Sequence, residues 1–418
     1  MATISRNTIL FILPFIPYPL ESGGHQALFN GINVIKDDYN VLVTYSATDN
    51  EEYRQNEAAF IKAVPGISVL PLLWPEMRLN LRERAIHKIS SIIKRILGIK
   101  PPVVTSRVYD GWVANLSPLN AKWGEHLDFI FSKYSIDVVQ VEMPWMIGAV
   151  FNIPAGVKKV FVHHELAFVR HQLEIENNHS TTAMAYADFT KMIEVNLLNR
   201  YDTVITLSQA DRQKLIDAGV TVPVHPSFAV IDSVEYQPVR TSDRVLSFVG
   251  PQFHDPNYVG VMWFLNNCWN QLKAADDSYR LRIIGRWSVG AIKQIESEFK
   301  DVDFLGFVDD LGEAINGTIM IVPITIGSGI RMKILEAASR GVPVVSTSVG
   351  AEGLSVEDGV QCFIKDNPED FIDSILSLRD ENLANSMCEA AYKMVNDNYS
   401  FAALREDRLA VLKGIFQY

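Results

Sequence analysis

Apolar residues gather in short β-branched runs, separated by longer stretches in which they recur at helical spacing. That pattern predicts parallel strands covered on both faces by crossover helices. In the first half the runs are Ile9–Leu13, Tyr39–Thr44, Ile67–Leu70, Asp137–Val141, Lys159–Val162 and Thr203–Leu207. In the second half they are Arg244–Val249, Leu281–Ile284, Ile319–Val322, Val342–Ser346 and Cys362–Ile364. Between Pro223 and Pro238 the rhythm lapses and three prolines occur, as expected of a linker. The predicted fold is α/β, with two doubly wound, Rossmann-like domains facing a central cleft. Residues 1–225 form the first, 226–240 a linker and 241–398 the second, and a terminal helix occupies 399–418.

Composition narrows the function. The 418 residues are 48% hydrophobic and 21% charged, enough for two sizeable cores and unlike a disordered chain. A net charge of −11 argues against nucleic acid as a partner, so an anionic ligand has to be gripped locally. Cys268, Cys362 and Cys388 are far apart and lack metal or disulfide spacing, which suits a reducing cytoplasm. No run of 18 apolar residues is present, so a spanning helix is not expected.

In doubly wound domains ligands bind outside the carboxyl ends of the strands. The loops to interrogate are therefore 14–25, 163–170, 250–257, 285–290 and 323–333. The last is the most informative. After the strand Ile319–Val322, Gly327-Ser328-Gly329 precede a helical stretch that carries Arg331, Lys333 and Glu336 and stops at Gly341. Glycines let the backbone approach a ligand, and the amides opening a helix point toward it. Cations at a helix start cost about 0.3–1 kcal/mol each unless something negative is docked there. A diphosphate fits that charge; a surface pairing of Lys333 with Glu336 is the other reading.

The segment Gly327-Ser-Gly-Ile-Arg-Met-Lys-Ile-Leu-Glu-Ala-Ala-Ser-Arg-Gly-Val-Pro-Val-Val-Ser resembles the donor-site block of retaining glycosyltransferases of family 4 (glycosyl transferases group 1), in a Gly-Ser-Gly variant. Pro19-Leu-Glu-Ser-Gly-Gly24, Val249-Gly-Pro-Gln-Phe-His-Asp-Pro-Asn257, Ile283-Ile-Gly285 and Phe304-Leu-Gly-Phe-Val-Asp-Asp310 follow in the family's order. The resemblance implies a GT-B fold and a nucleotide-sugar donor held by Gly250, His254, Asn257, Phe307, Gly327, Ser328, Gly329, Ile330 and Glu336. It gives Glu336 the ribose hydroxyls and the Phe307 backbone the base edge. It also implies that the last helix crosses back to the first domain through Leu404, Leu409, Leu412 and Ile415. Two departures stand out: Ser328 replaces the first of two family glutamates, and Gln252 and His254 replace the usual arginine and lysine for the diphosphate. Arg331 and Lys333 are expected to compensate.

In the first half, Ser22, Gly23 and Gly24 form a loop that can approach phosphate or acceptor. His163-His164-Glu165 ends a strand, with Arg170 beyond it. Neighbouring side chains on an extended segment point opposite ways, so one histidine faces the cleft, and the resemblance favours His164 beside sugar and acceptor. Catalysis is thus expected from His164, Arg331 and Lys333, with Glu165 and Arg170 on the acceptor side. Neither His-His-Glu nor Asp309-Asp310 has a metal-binding spacing, so no metal and no separate cofactor are expected, and Asp309-Asp310 reads as a helix start. Between Arg78 and Lys100 seven cations face one acid, and residues 84–97 have the pattern of a basic amphipathic helix. That helix either packs on its own domain or touches the inner membrane surface.

The expected activity is sugar transfer with retention to a carbohydrate or lipid-linked glycan acceptor, in cell-surface polysaccharide synthesis by a cytoplasmic or peripheral membrane enzyme. A non-catalytic GT-B binding subunit and a nucleotide-sugar epimerase are the alternatives.

Overall fold

A computed structural model describes residues 6–20, 23–75, 116–169, 181–228, 230–231, 244–327 and 329–417. The chain divides into two compact units: Met1–Val204 with Ala218–Pro223, and Ile205–Asp217 with Val224–Tyr418.

The first sheet draws on β1 (Thr8–Ile12), β2 (Asn40–Thr44), β4 (Ser68–Val69), β6 (Val138–Glu142), β7 (Lys158–His163), β8 (Thr203–Thr206) and β9 (Val224–Pro226), in the order β4-β2-β1-β6-β7-β8-β9. β3 (Ser46–Asp49) and β5 (Leu72–Pro75) pair separately. The second sheet orders β12 (Val302–Gly306), β11 (Arg280–Ile284), β10 (Val245–Val249), β13 (Ile319–Val322), β14 (Val344–Ser346) and β15 (Phe363–Ile364) in that sequence. The pairs β1·β2, β1·β6, β10·β11 and β10·β13 all run parallel. Each sheet therefore grows one way from its first strand and then restarts on that strand's other side. The two switch points, β1/β6 and β10/β13, are where such sheets open a crevice for ligands.

The strands are buried as their composition requires. Every residue of β6 and β13 is buried, consistent with helices covering both faces. Phe248, Phe264, Trp269, Ile283, Met320 and Phe371 anchor the core of the second unit. The helix Met332–Ser339 packs Leu335 and Ala338 on Ile231, Met394 and Tyr399. It ends at Gly341, whose φ of 66° is the left-handed conformation that stops a helix. Asp310 caps the helix Leu311–Ile315 through the Glu313 amide, as its position before Leu311 predicts. The terminal helix Phe401–Gln417 buries Leu404, Arg408, Leu412 and Ile415. It is counted within the second unit. Most of the expected linker, and the whole basic segment 78–100, lie outside the described residues.

Candidate functional site

Several of the sequence-predicted donor residues lie around the second switch point. Gly327 and Gly329 take φ of 107° and 83°, conformations that side-chain-bearing residues rarely adopt. They bring the chain from β13 to the start of the helix Met332–Ser339, which no side chain caps. Orphan amides and the helix dipole make that end electropositive. Arg331 is buried and donates from Nη1 to the Gly329 carbonyl at 2.6 Å, tying the turn closed. Ser328 lies outside the described residues. Ile330 leans on the Ile231–Tyr399 cluster and anchors the loop from the apolar side.

Lys333 crosses to the loop after β10. Its Nζ donates to Asn257 Oδ1 at 2.8 Å and sits 4.2 Å above the Phe248 ring centroid. Asn257 is held in turn, donating from Nδ2 to the Pro251 carbonyl at 2.9 Å. Gly250 leaves room for this amide, since a Cβ there would lie 2.5 Å from Asn257 Nδ2. Part of the Lys333 side chain remains accessible. Even so, desolvation of its ammonium, and then the charge of Arg331, lower its pKa to about 7. A cation so placed is stabilised when an anion arrives.

Glu336 is buried on the same helix and pairs with Arg340 Nη1 one turn on. The surface pairing of Lys333 with Glu336 is not among the ion pairs of the described residues: Lys333 reaches Asn257 and Glu336 reaches Arg340.

Around these groups β11 and β12 add a second rim. The Arg286 guanidinium lies 5.5 Å from the centroid of Phe307, whose side chain is 51% exposed. Trp287 donates from Nε1 to the Gly250 carbonyl at 2.9 Å, and Gln252 Oε1 accepts from the Ser288 amide at 2.8 Å. Gln252, Phe253, Asp255, Arg286, Trp287 and Ser288 line an open cavity of about 540 Å³. His254 is exposed and precedes the helix Asp255–Phe264 as its N-cap residue.

At the first switch point, Gly23 and Gly24 are the first two residues of the helix Gly23–Asn33, a place at a helix start that their reading as a flexible loop did not specify. Ser22 and Arg170 lie outside the described residues. The two histidines at the end of β7 part as the strand geometry requires. His163 is fully buried, with Nε2 2.7 Å from Glu194 Oε1, while Glu194 also accepts from the Ala167 and Phe168 amides. His164 keeps a small exposed edge and places Nε2 2.6 Å from Glu142 Oε2. Glu165 beside it is half-buried.

Glu142, Glu194, Arg286 and Arg340 were not found from the sequence. Only Glu142 left a signal, as a charged residue closing the apolar strand Val-Val-Gln-Val-Glu. Among the described residues no cluster of three His, Cys, Asp or Glu side chains could hold a metal ion. All three cysteines are buried and free, and burial pushes each thiol up to about 12.

Comparison with known proteins bears on the fold. Residues 243–381 match the family model described as glycosyl transferases group 1. An uncharacterized 44.6 kDa protein in the cps region of Klebsiella pneumoniae is 21% identical over 425 residues, covering 98% of this chain and 99% of that protein. The crystal structure of TarM is similar with a TM-score of 0.70 at 13% identity, over 100% of both chains. Sucrose-phosphate synthase from Thermosynechococcus elongatus gives 0.71 at 14% identity, covering 99% of this chain and 100% of that one. Anabaena HepE in complex with UDP-glucose gives 0.62 at 16% identity, covering 97% and 99%. The fold is thus the two-domain GT-B fold.

Proposed function

We propose that this chain is a glycosyltransferase that moves a sugar from a nucleotide-sugar donor to a carbohydrate or lipid-linked glycan acceptor, with retention of configuration, in surface polysaccharide synthesis. One observation carries the reading. The Gly327–Gly329 turn delivers Arg331 and Lys333 to an uncapped helix start, where the charge of Arg331 bears on Lys333. A diphosphate answers both charges at once. The match of residues 243–381 to glycosyl transferases group 1 supports the reaction class, and UDP-glucose bound to HepE is an example of a donor of this kind. The cps-region relative supports polysaccharide synthesis.

In this reading Arg331, Lys333 and the helix amides stabilise the charge that grows on the diphosphate as the glycosidic bond breaks. Glu336, oriented by Arg340, accepts from the ribose hydroxyls. The leaving phosphate oxygen takes the proton of the attacking acceptor hydroxyl on the same face of the sugar, which accounts for retention without a separate base. His164 orients sugar or acceptor, and no metal is required.

No described helix is long and apolar enough to cross a membrane. We further propose a cytoplasmic enzyme, for which contact of the basic segment 78–100 with anionic lipid at the inner membrane face is the alternative to packing on its own domain.

A panel of nucleotide sugars, assayed with candidate acceptors for nucleoside diphosphate release and for the anomeric configuration of the product, tests the reading. Release with a retained product supports it. Tight binding without turnover favours a non-catalytic binding subunit, for which the replacement of a glutamate by Ser328 is the motive. An epimerised sugar formed without acceptor favours an epimerase.

A further inference from the structure

Glu142 closes β6 at the switch point with β1, and His164 follows β7 directly, so the pair stands at the carboxyl edge of the first sheet. The carboxylate is almost wholly buried, at 3% side-chain exposure, and His164 is 9% exposed. Both carboxylate oxygens are engaged: Oε1 accepts from Gln140 Nε2 at 2.6 Å, and Oε2 lies 2.6 Å from His164 Nε2. An ionised carboxylate only accepts hydrogen bonds, so the proton between it and the ring belongs to Nε2. In the neutral ring the lone pair is then on Nδ1.

A buried glutamate at a strand end is costly unless something needs it. His163, the adjacent histidine, provides the contrast. Its carboxylate partner Glu194 spends its other bonds on the Ala167 and Phe168 amides, so that pair ties the loop to the helix Thr181–Leu198, and His163 Nδ1 is sealed from solvent. His164 Nδ1 is not among the sealed, unpartnered nitrogens of the described residues.

We infer that Glu142 is a positioning residue, which fixes His164 in the Nε2–H tautomer and so presents Nδ1 as a hydrogen-bond acceptor to a hydroxyl of the sugar or acceptor. This rests on the glycosyltransferase reading for the identity of the hydroxyl, but the tautomer needs only the pairing of the ring with an ionised carboxylate. Gln140 sharpens the expectation. In Glu142→Gln, with the Gln140 amide kept in its present orientation, residue 142 turns its own NH2 toward His164 Nε2. That nitrogen then has to accept, and the ring proton moves to Nδ1. A nitrogen that accepted from the ligand hydroxyl would become a competing donor.

The test is the ¹⁵N spectrum of the His164 ring, assigned by difference from His164→Gln and recorded on the alkaline side, where imidazoles carry one proton. The expected result is an unprotonated Nδ1 in the wild-type protein, a protonated Nδ1 in Glu142→Gln, and a return to the wild-type pattern in Glu142→Asp. Sugar transfer in Glu142→Gln should fall about tenfold or more in kcat, with donor KM little changed and partial recovery in Glu142→Asp. A protonated Nδ1 in the wild-type protein overturns the inference, and that measurement needs no variant to fold. An unchanged kcat in a folded Glu142→Gln whose His164 tautomer has moved overturns it equally. If the tautomers behave as described while no nucleotide sugar reacts, the inference stands and the transferase reading fails.

Discussion

Lys333 Nζ and Asn257 Oδ1, 76 positions apart in the chain, stand 2.8 Å from each other and close the loop after β10 onto the helix that follows β13. A hydrogen bond to a charged group contributes about 1.5–3 kcal/mol. Asn257→Ala should therefore weaken nucleoside diphosphate binding by about tenfold, because the ammonium is no longer aimed. Titration calorimetry with UDP and GDP reads this directly, with circular dichroism checking the fold, since the change also frees the Pro251 carbonyl.

The lowered pKa of Lys333 sets a pH dependence. A bound diphosphate favours the ammonium and raises that pKa, so binding takes up a proton. Affinity should be flat below pH 7 and decline above it by up to about tenfold per pH unit. Lys333→Met should bind more weakly and lose the slope. In the ligand-free protein the sign reverses. The folded pKa of about 7 lies below the ordinary lysine value of 10.5, so the unfolded chain binds more protons in between. The contribution of this group to stability therefore rises as pH climbs from about 7 toward 10.5, and urea melts across that window should lose this component in Lys333→Met.

Glu336→Ala should weaken binding of the intact nucleotide strongly, and it strands Arg340. Arg331→Ala should slow transfer more than it weakens nucleoside binding, because Arg331 meets charge that develops as the diphosphate departs. Steady-state kinetics combined with nucleoside and nucleotide titrations separate the two effects. Unchanged kinetics in both variants would contradict the assignment.

Gly285 tests the scaffold. Its φ is 131°, and a Cβ there would fall 2.7 Å from the carbonyl carbon and oxygen of Gly250. Gly285→Ala should cost about 2–3 kcal/mol, lowering the urea midpoint. Gly290→Ala, where nothing lies within 4 Å of the added carbon and the site is helical, should be neutral or slightly stabilising.

The interior strands and the Gly327–Lys333 turn were legible because their signals are local: apolar runs, glycines and unopposed cations. β12 was missed because it is an edge strand whose run is broken by Asp303, with little of it fully buried. β3 and β5 were missed because they pair apart from the main sheets, β3 with no buried residue. The carboxylates were missed for another reason. Glu142 meets His164 across 22 positions and Glu194 meets His163 across 31, and no short window of sequence holds such a pair. Alternation along β7 could say that the two histidines diverge, but not what waits for each.

A structure of the protein with an intact nucleotide sugar bears most directly on the central claim. The account predicts the diphosphate against Arg331, Lys333 and the first amides of the helix Met332–Ser339, with the ribose at Glu336. Density for the nucleotide elsewhere, with that turn empty, would contradict it.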